Sequence, residues 1–181
     1  GRCDRSLACA HSVYIGDFGS VTVTRSRFEA GSGGHYLKTR SGQVRITDNS
    51  FDDSQGRDTN YMIDLPAGAS GVISGNYFVQ GPENTNHYTL IAVGAESRLH
   101  PSDGLRIEKN VARFAPNVGW SAALVGDWSG ERITIADNDL AEGISPFQRK
   151  MRMADVKERL QQMPGAVALG RKIADIMGVG R

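Results

Sequence analysis

One short pattern recurs five times in this chain and limits what it can fold into. Its clearest copy is Val44-Arg45-Ile46-Thr47-Asp48-Asn49-Ser50-Phe51. The others begin at Val21, Gly71, Leu105 and Ile133. Each alternates apolar and polar residues, as a strand with one buried face must. The sixth position reads Ser26, Asn49, Asn76, Asn110 and Asn138, with spacings of 23, 27, 34 and 28 residues. Self-similarity at that period is the mark of a solenoid.

A second, shorter strand precedes each copy: Val13-Tyr14-Ile15, Tyr36-Leu37-Lys38, Met62-Ile63-Asp64, Leu90-Ile91-Ala92 and Ala123-Leu124-Val125. Glycine- and proline-containing turns fill the gaps, and helical periodicity is absent before about residue 146. A β-sandwich gives no reason for asparagine to recur at one place, and a propeller blade needs four strands in roughly 40 residues. A parallel β-helix gives such a reason. Equivalent residues stack about 4.8 Å apart, so asparagines at a bend pass amide hydrogen bonds up the stack, and asparagine tolerates left-handed backbone.

The fold expected is therefore all-β: a right-handed parallel β-helix of about five coils over residues 1–145, followed by an amphipathic helical tail or cap over 146–181. Val21/Val23, Val44/Ile46, Leu105/Ile107 and Ile133/Ile135 should stack inward, as should Phe28, Phe51 and Phe78. Ile15, Leu37, Ile63, Ile91 and Leu124 make a column on the companion sheet. The register of Gly71-Val72-Ile73 stays open between Val72 and Ile73 as the inward residue. Phe147, Met151, Ala154, Leu160 and Met163 mark one face of a helix starting near Pro146. Val167, Leu169, Ile173, Ile176 and Met177 mark a second.

The net charge of +1 argues against a nucleic-acid partner held by general electrostatics. It hides an asymmetry. Residues 1–145 carry 13 Lys/Arg against 17 Asp/Glu, whereas residues 146–181 carry 8 against 3. A basic tail of that kind docks on its own acidic body, on a lipid surface or on another chain. No apolar run reaches the roughly 18 residues that span a bilayer. Cys3 and Cys9 are either a small disulfide loop or two thiols, with no histidine spacing for zinc. The chain starts at Gly1 without a signal peptide, and it reads as a piece of a longer exported protein with further coils.

The stretches His11 to Gly16, Gly34 to Arg40 and Tyr61 to Gly68, together with Gly75-Asn76 and Gln80-Gly81-Pro82, resemble right-handed parallel β-helix repeat proteins of the pectate-lyase-like superfamily, in a bacterial branch. The resemblance covers about residues 11–142. It implies a periplasmic or extracellular protein that recognises, and in the stronger form cleaves, an acidic polysaccharide along one outer sheet. The alternative is a non-catalytic structural or adhesion module, since this superfamily holds both.

If the chain is an enzyme, a polysaccharide lyase is the first expectation and a glycoside hydrolase the second. Alternation places Tyr36 and Lys38 on the outer face, Met62 and Asp64 one coil above, and Gly16 below Lys38. Lys38 would be the base if its neighbours depressed its pKa, and Arg40 would hold a uronate carboxylate. Lys38 and Asp64 also suit a plain surface ion pair. His35 and His11 are available proton carriers, although alternation turns His35 inward beneath Tyr61. Tyr14, Tyr36, Tyr88, Trp120 and Trp128 suit sugar stacking. Glu83, His87, Glu96 and His100, on the long fourth insertion, suit the wall of a groove. Glu83 or Glu96 opposite Asp64 would be a hydrolase pair. No metal or other cofactor is expected. Asp48, Asp52, Asp53 and Asp58 raise calcium, but their spacing fits no known loop.

Overall fold

The structure is a computed structural model that describes residues 11–162. Its first coil comprises β1 (Val13–Ile15), β2 (Ser20–Thr24) and β3 (Arg27–Glu29). After the short β4 (Ser32–Gly34), the second is β5 (Leu37–Thr39), β6 (Gln43–Thr47) and β7 (Ser50–Asp52). After β8 (Arg57–Thr59), the third is β9 (Ile63–Leu65), β10 (Ser70–Ser74) and β11 (Tyr77–Gln80). The fourth is β12 (Thr89–Val93), β13 (Arg106–Glu108) and β14 (Val111–Phe114). The fifth is β15 (Ala122–Asp127), β16 (Thr134–Ala136) and β17 (Asp139–Leu140), followed by β18 (Ile144–Arg149).

Every strand pair is parallel, and like strands of successive coils lie side by side. The order β1-β5-β9-β12-β15-β18 makes one sheet, β2-β6-β10-β13-β16 a second and β3-β7-β11-β14-β17 a third. The described residues thus form a parallel β-helix with three main sheets around one core, while β4 and β8 pair in a further two-stranded sheet. Each recurring eight-residue motif is two strands broken at the asparagine, rather than one strand ending there.

The asparagine column forms as expected. Asn49 donates its amide N–H and its Nδ2–H to Asn76 Oδ1, at 3.0 and 2.9 Å. Asn76 does the same to Asn110, and Asn110 to Asn138. The left-handed backbone falls one residue earlier than expected, on Arg25, Asp48, Gly75, Lys109 and Asp137, with φ of 48–67°. This residue turns the corner, and the asparagine after it points inward to bridge coils. At the foot of the column, Asn49 Oδ1 accepts, among the described residues, only the Ser26 N–H, at 3.0 Å. Ser26→Asn should supply the missing amide donor and raise stability by about 0.5–1 kcal/mol, read as a higher urea midpoint. A neutral or lower midpoint would contradict it.

The open register resolves in favour of Ile73. Val44 pairs with Gly71 and Ile46 with Ile73, leaving Val72 outward. Gly71 has φ of 120°, and a Cβ there would lie 2.1 Å from the Val44 carbonyl oxygen, so this rung takes only glycine. Phe28, Phe51 and Phe78 stack at 4.7 and 5.2 Å between centroids and continue into Ala112 and Leu140.

The companion column is corrected at both ends. It reads Val13–Leu37–Ile63–Ile91–Val125–Phe147, not Ile15 below or Leu124 above. Tyr36 and Met62, expected outside, sit at the bend before their strands and are both 1% exposed. A bend breaks the two-residue alternation, so residues on either side of it turn into the core.

Residues 146–149 are strand, not helix. Phe147 lies on Val125, and Arg149 pairs with the buried Asp127, contacts that an extended chain makes. Pro146 is tolerated because β18 is the last strand of its sheet. Of the described residues, 11–150 belong to one compact unit and 151–162 to a second. The second contains α1 (Met153–Gln162), with Asp155 in its first turn and Arg159 in its last, both favourable to the helix dipole. The second helix expected near Val167 and the Cys3–Cys9 pair lie outside the described residues. Among the described residues no helix is long and apolar enough to cross a membrane.

Candidate functional site

The first sheet builds the site. Leu37 and Thr39 on β5, and Ile63 and Leu65 on β9, are completely buried, so the residues between them face outward. Register sets Lys38 beside Asp64, and Tyr14, not Gly16, below Lys38. Lys38 Nζ lies 3.0 Å from Asp64 Oδ2 and 5.9 Å from the Tyr14 ring centroid. The pair is not a surface one: the Lys38 and Asp64 side chains are only 9% and 3% exposed.

A strap from the fourth coil covers them. Gly94 N–H donates to Leu65 O at 2.9 Å, the Glu96 and Ser97 amides to Pro66 O at 3.0 and 2.9 Å, and the His100 amide to Ala67 O at 2.9 Å. His100 Nε2 reaches Asp17 at 2.8 Å, and its ring fills the space that a side chain on Gly42 would take. So pinned, the strap delivers Glu96 to the second coil. Its Oε1 accepts from Lys38 Nζ at 2.6 Å and its Oε2 from Arg40. Arg40 Nε also donates to the Tyr14 hydroxyl at 3.0 Å.

His35 closes the inner end. Its ring lies between those of His11 and Tyr61, at 4.8 and 5.2 Å, nearly parallel to both. Its Nδ1 accepts the Tyr61 amide N–H at 3.1 Å, so the neutral ring carries its proton on Nε2, which lies 3.2 Å from Asp64 Oδ2. His11 Nδ1 likewise accepts the His35 amide. The two histidines thus form a second inter-coil ladder, which tallies with the inward placement expected for His35.

The electrostatics follow from burial and pairing. Burial, aided by the Lys38 charge, lowers His35 to about 3. Burial raises Asp64 to about 6 against the pull of Lys38. Its Oδ1 is buried with no hydrogen-bond partner among the described residues. For Lys38, burial alone would lower the pKa, but hydrogen bonds to Glu96 and Asp64 outweigh it and raise the group above its ordinary value. That is the opposite of what a lysine base needs near neutral pH. Burial would raise Glu96, yet Lys38 and Arg40 hold it below the ordinary carboxylate range.

Of the residues singled out in the sequence, Tyr14, His35, Lys38, Arg40, Asp64 and Glu96 come together here. Tyr36 does not. Its hydroxyl donates to Asp53 Oδ1 at 2.7 Å inside the body, which rules out stacking on an external sugar. Asp53 itself is buried, accepting from Tyr36, Thr59, Asn84 and the Gly81 amide. Its lone pairs serve the fold rather than a cation. Glu83 is exposed on the fourth-coil insertion. His87 packs on Tyr88 and Trp120 at 4.1 and 4.6 Å. Glu96 and Asp64 do not face each other across a cleft, because Lys38 Nζ bridges them.

Lys150 escaped notice in the sequence. It lies over the Tyr88 and Trp128 rings at 5.7 and 5.5 Å, with burial lowering its pKa. Its signal was hidden because the residues around it read as helix. No family model matches the chain, and neither a curated protein nor a solved structure matches it.

Proposed function

We propose that this chain is a non-catalytic β-helix module of the pectate-lyase-like kind, exported to the periplasm or cell exterior, that recognises an acidic polysaccharide at the outer face of its first sheet. One observation carries the reading: Lys38 and Arg40 converge on a single carboxylate, that of Glu96, beside the exposed ring of Tyr14. Two cations and an aromatic face are the groups that a uronate ring would meet. Recognition is favoured over elimination because Lys38 is held as an ammonium.

Polygalacturonate, alginate and glycosaminoglycans titrated into the protein by calorimetry should reveal binding to at least one of them, without new absorbance from an unsaturated product. Arg40→Gln should weaken that binding about 10-fold or more, as loss of a charge-assisted contact does. Accumulating unsaturated product would replace this reading with a lyase. The second reading, a purely structural or adhesion module, is favoured by the closure of the ion cluster under the strap. Absence of binding to every acidic glycan by a folded protein would select it.

A further inference from the structure

Three features of the cluster bear on how a ligand would reach it. Lys38 and Asp64 are fixed, since both are buried and Asp64 also contacts His35. Arg40 is oriented by the Tyr14 hydroxyl independently of Glu96. Glu96, by contrast, keeps 45% of its side chain exposed, while its main chain is anchored to Pro66. Rotating one side chain into water would therefore bare two positioned cations without disturbing the strap or the sheet.

We propose that Lys38 and Arg40 form a carboxylate-binding subsite whose resident occupant is the chain's own Glu96, and that a carboxylate ligand enters by displacing it. The ligand class is a small carboxylate or the uronate of a glycan, the latter resting on the recognition reading above. Glu96 lowers the apparent affinity for such ligands because they must compete with a tethered group. Its removal strengthens binding, unlike removal of a residue that contacts the ligand.

The test uses Glu96→Ala in the full chain, with acetate as the probe and chloride at equal ionic strength as the control. In ~100 mM acetate, the variant's unfolding midpoint should rise about 3–5 °C above that in chloride, as expected for a ligand that binds only the folded state. The parent protein should move by less than about 1 °C in the same comparison, and Arg40→Gln added to Glu96→Ala should abolish the response. Oligogalacturonate should bind Glu96→Ala about 10-fold more tightly than the parent.

Equal midpoints in acetate and chloride would overturn the subsite, even if polyuronates bind elsewhere. An acetate response with no polyuronate binding would uphold the subsite and sink the polysaccharide reading alone.

Discussion

Asn76→Ala should lose about 3–5 kcal/mol of folding stability, measured as a fall in the urea midpoint with an unchanged slope. Asn76 is 1% exposed. Its Oδ1 takes two donors from Asn49, and its Nδ2 donates to Ile46 O at 2.9 Å and Asn110 Oδ1 at 3.0 Å. Alanine leaves the Asn49 N–H with no acceptor and strips a donor from the Ile46 carbonyl. Water cannot reach either group, and each orphaned buried polar group costs roughly 1–3 kcal/mol.

Asn138 provides the internal control. It ends the column and is partly exposed, so water replaces what alanine removes. Asn138→Ala should cost only about 1–2 kcal/mol by the same reasoning. Asn76→Asp should be worse than Asn76→Ala near neutral pH, because a carboxylate oxygen would face Ile46 O and Asn110 Oδ1. An Asn76→Ala midpoint close to that of the parent would mean that the column decorates the coils without holding them.

The second large effect lies in acid. His35 binds its proton at about 3 when folded but at its ordinary 6.5 when unfolded. Below pH 6.5 the unfolded chain therefore holds more protons at this position, and stability present above 6.5 is lost as pH falls toward 3. Asp64 has the opposite sign. Its folded pKa of about 6 exceeds the ordinary 3.8, so the folded state takes up the proton first and gains stability as pH falls from 6 to 3.8.

Lys38, Glu96, Arg40 and His11 face the same pair, and their charges are common to any variant at position 64. Asp64→Asn removes the compensating group while keeping its shape. Relative to the parent, this variant should lose about 1 kcal/mol per pH unit between pH 6 and 4, close to 2 kcal/mol in all. Urea midpoints across that range read the difference. His35→Gln should produce the reverse tilt. Parallel curves for the parent and Asp64→Asn would show that Asp64 titrates at its ordinary value in the folded protein.

The repeated motif carried the fold because stacking is a local rule applied five times. Once Asn49, Asn76 and Asn110 share one position in the repeat, coils in register are the arrangement that pairs their amides, and Phe28, Phe51 and Phe78 must then fall in line. The neighbourhood of Lys38 and Asp64 was legible for the same reason, being one residue on each of two adjacent rungs.

What alternation could not supply was anything decided at a bend or by a distant segment. Tyr36 turned inward because a corner resets the alternation, and Tyr14 replaced Gly16 beneath Lys38 because the first coil pairs two residues away from the assumed register. Residues 146–149 look helical by themselves and became strand because β15 offered them a partner. Above all, no local pattern links Glu96 to Lys38, which lies 58 residues earlier. That contact exists because the fourth-coil strap is hydrogen-bonded to the third coil and reaches over the second, so the pairing of Lys38 with Glu96 was decided by tertiary structure alone.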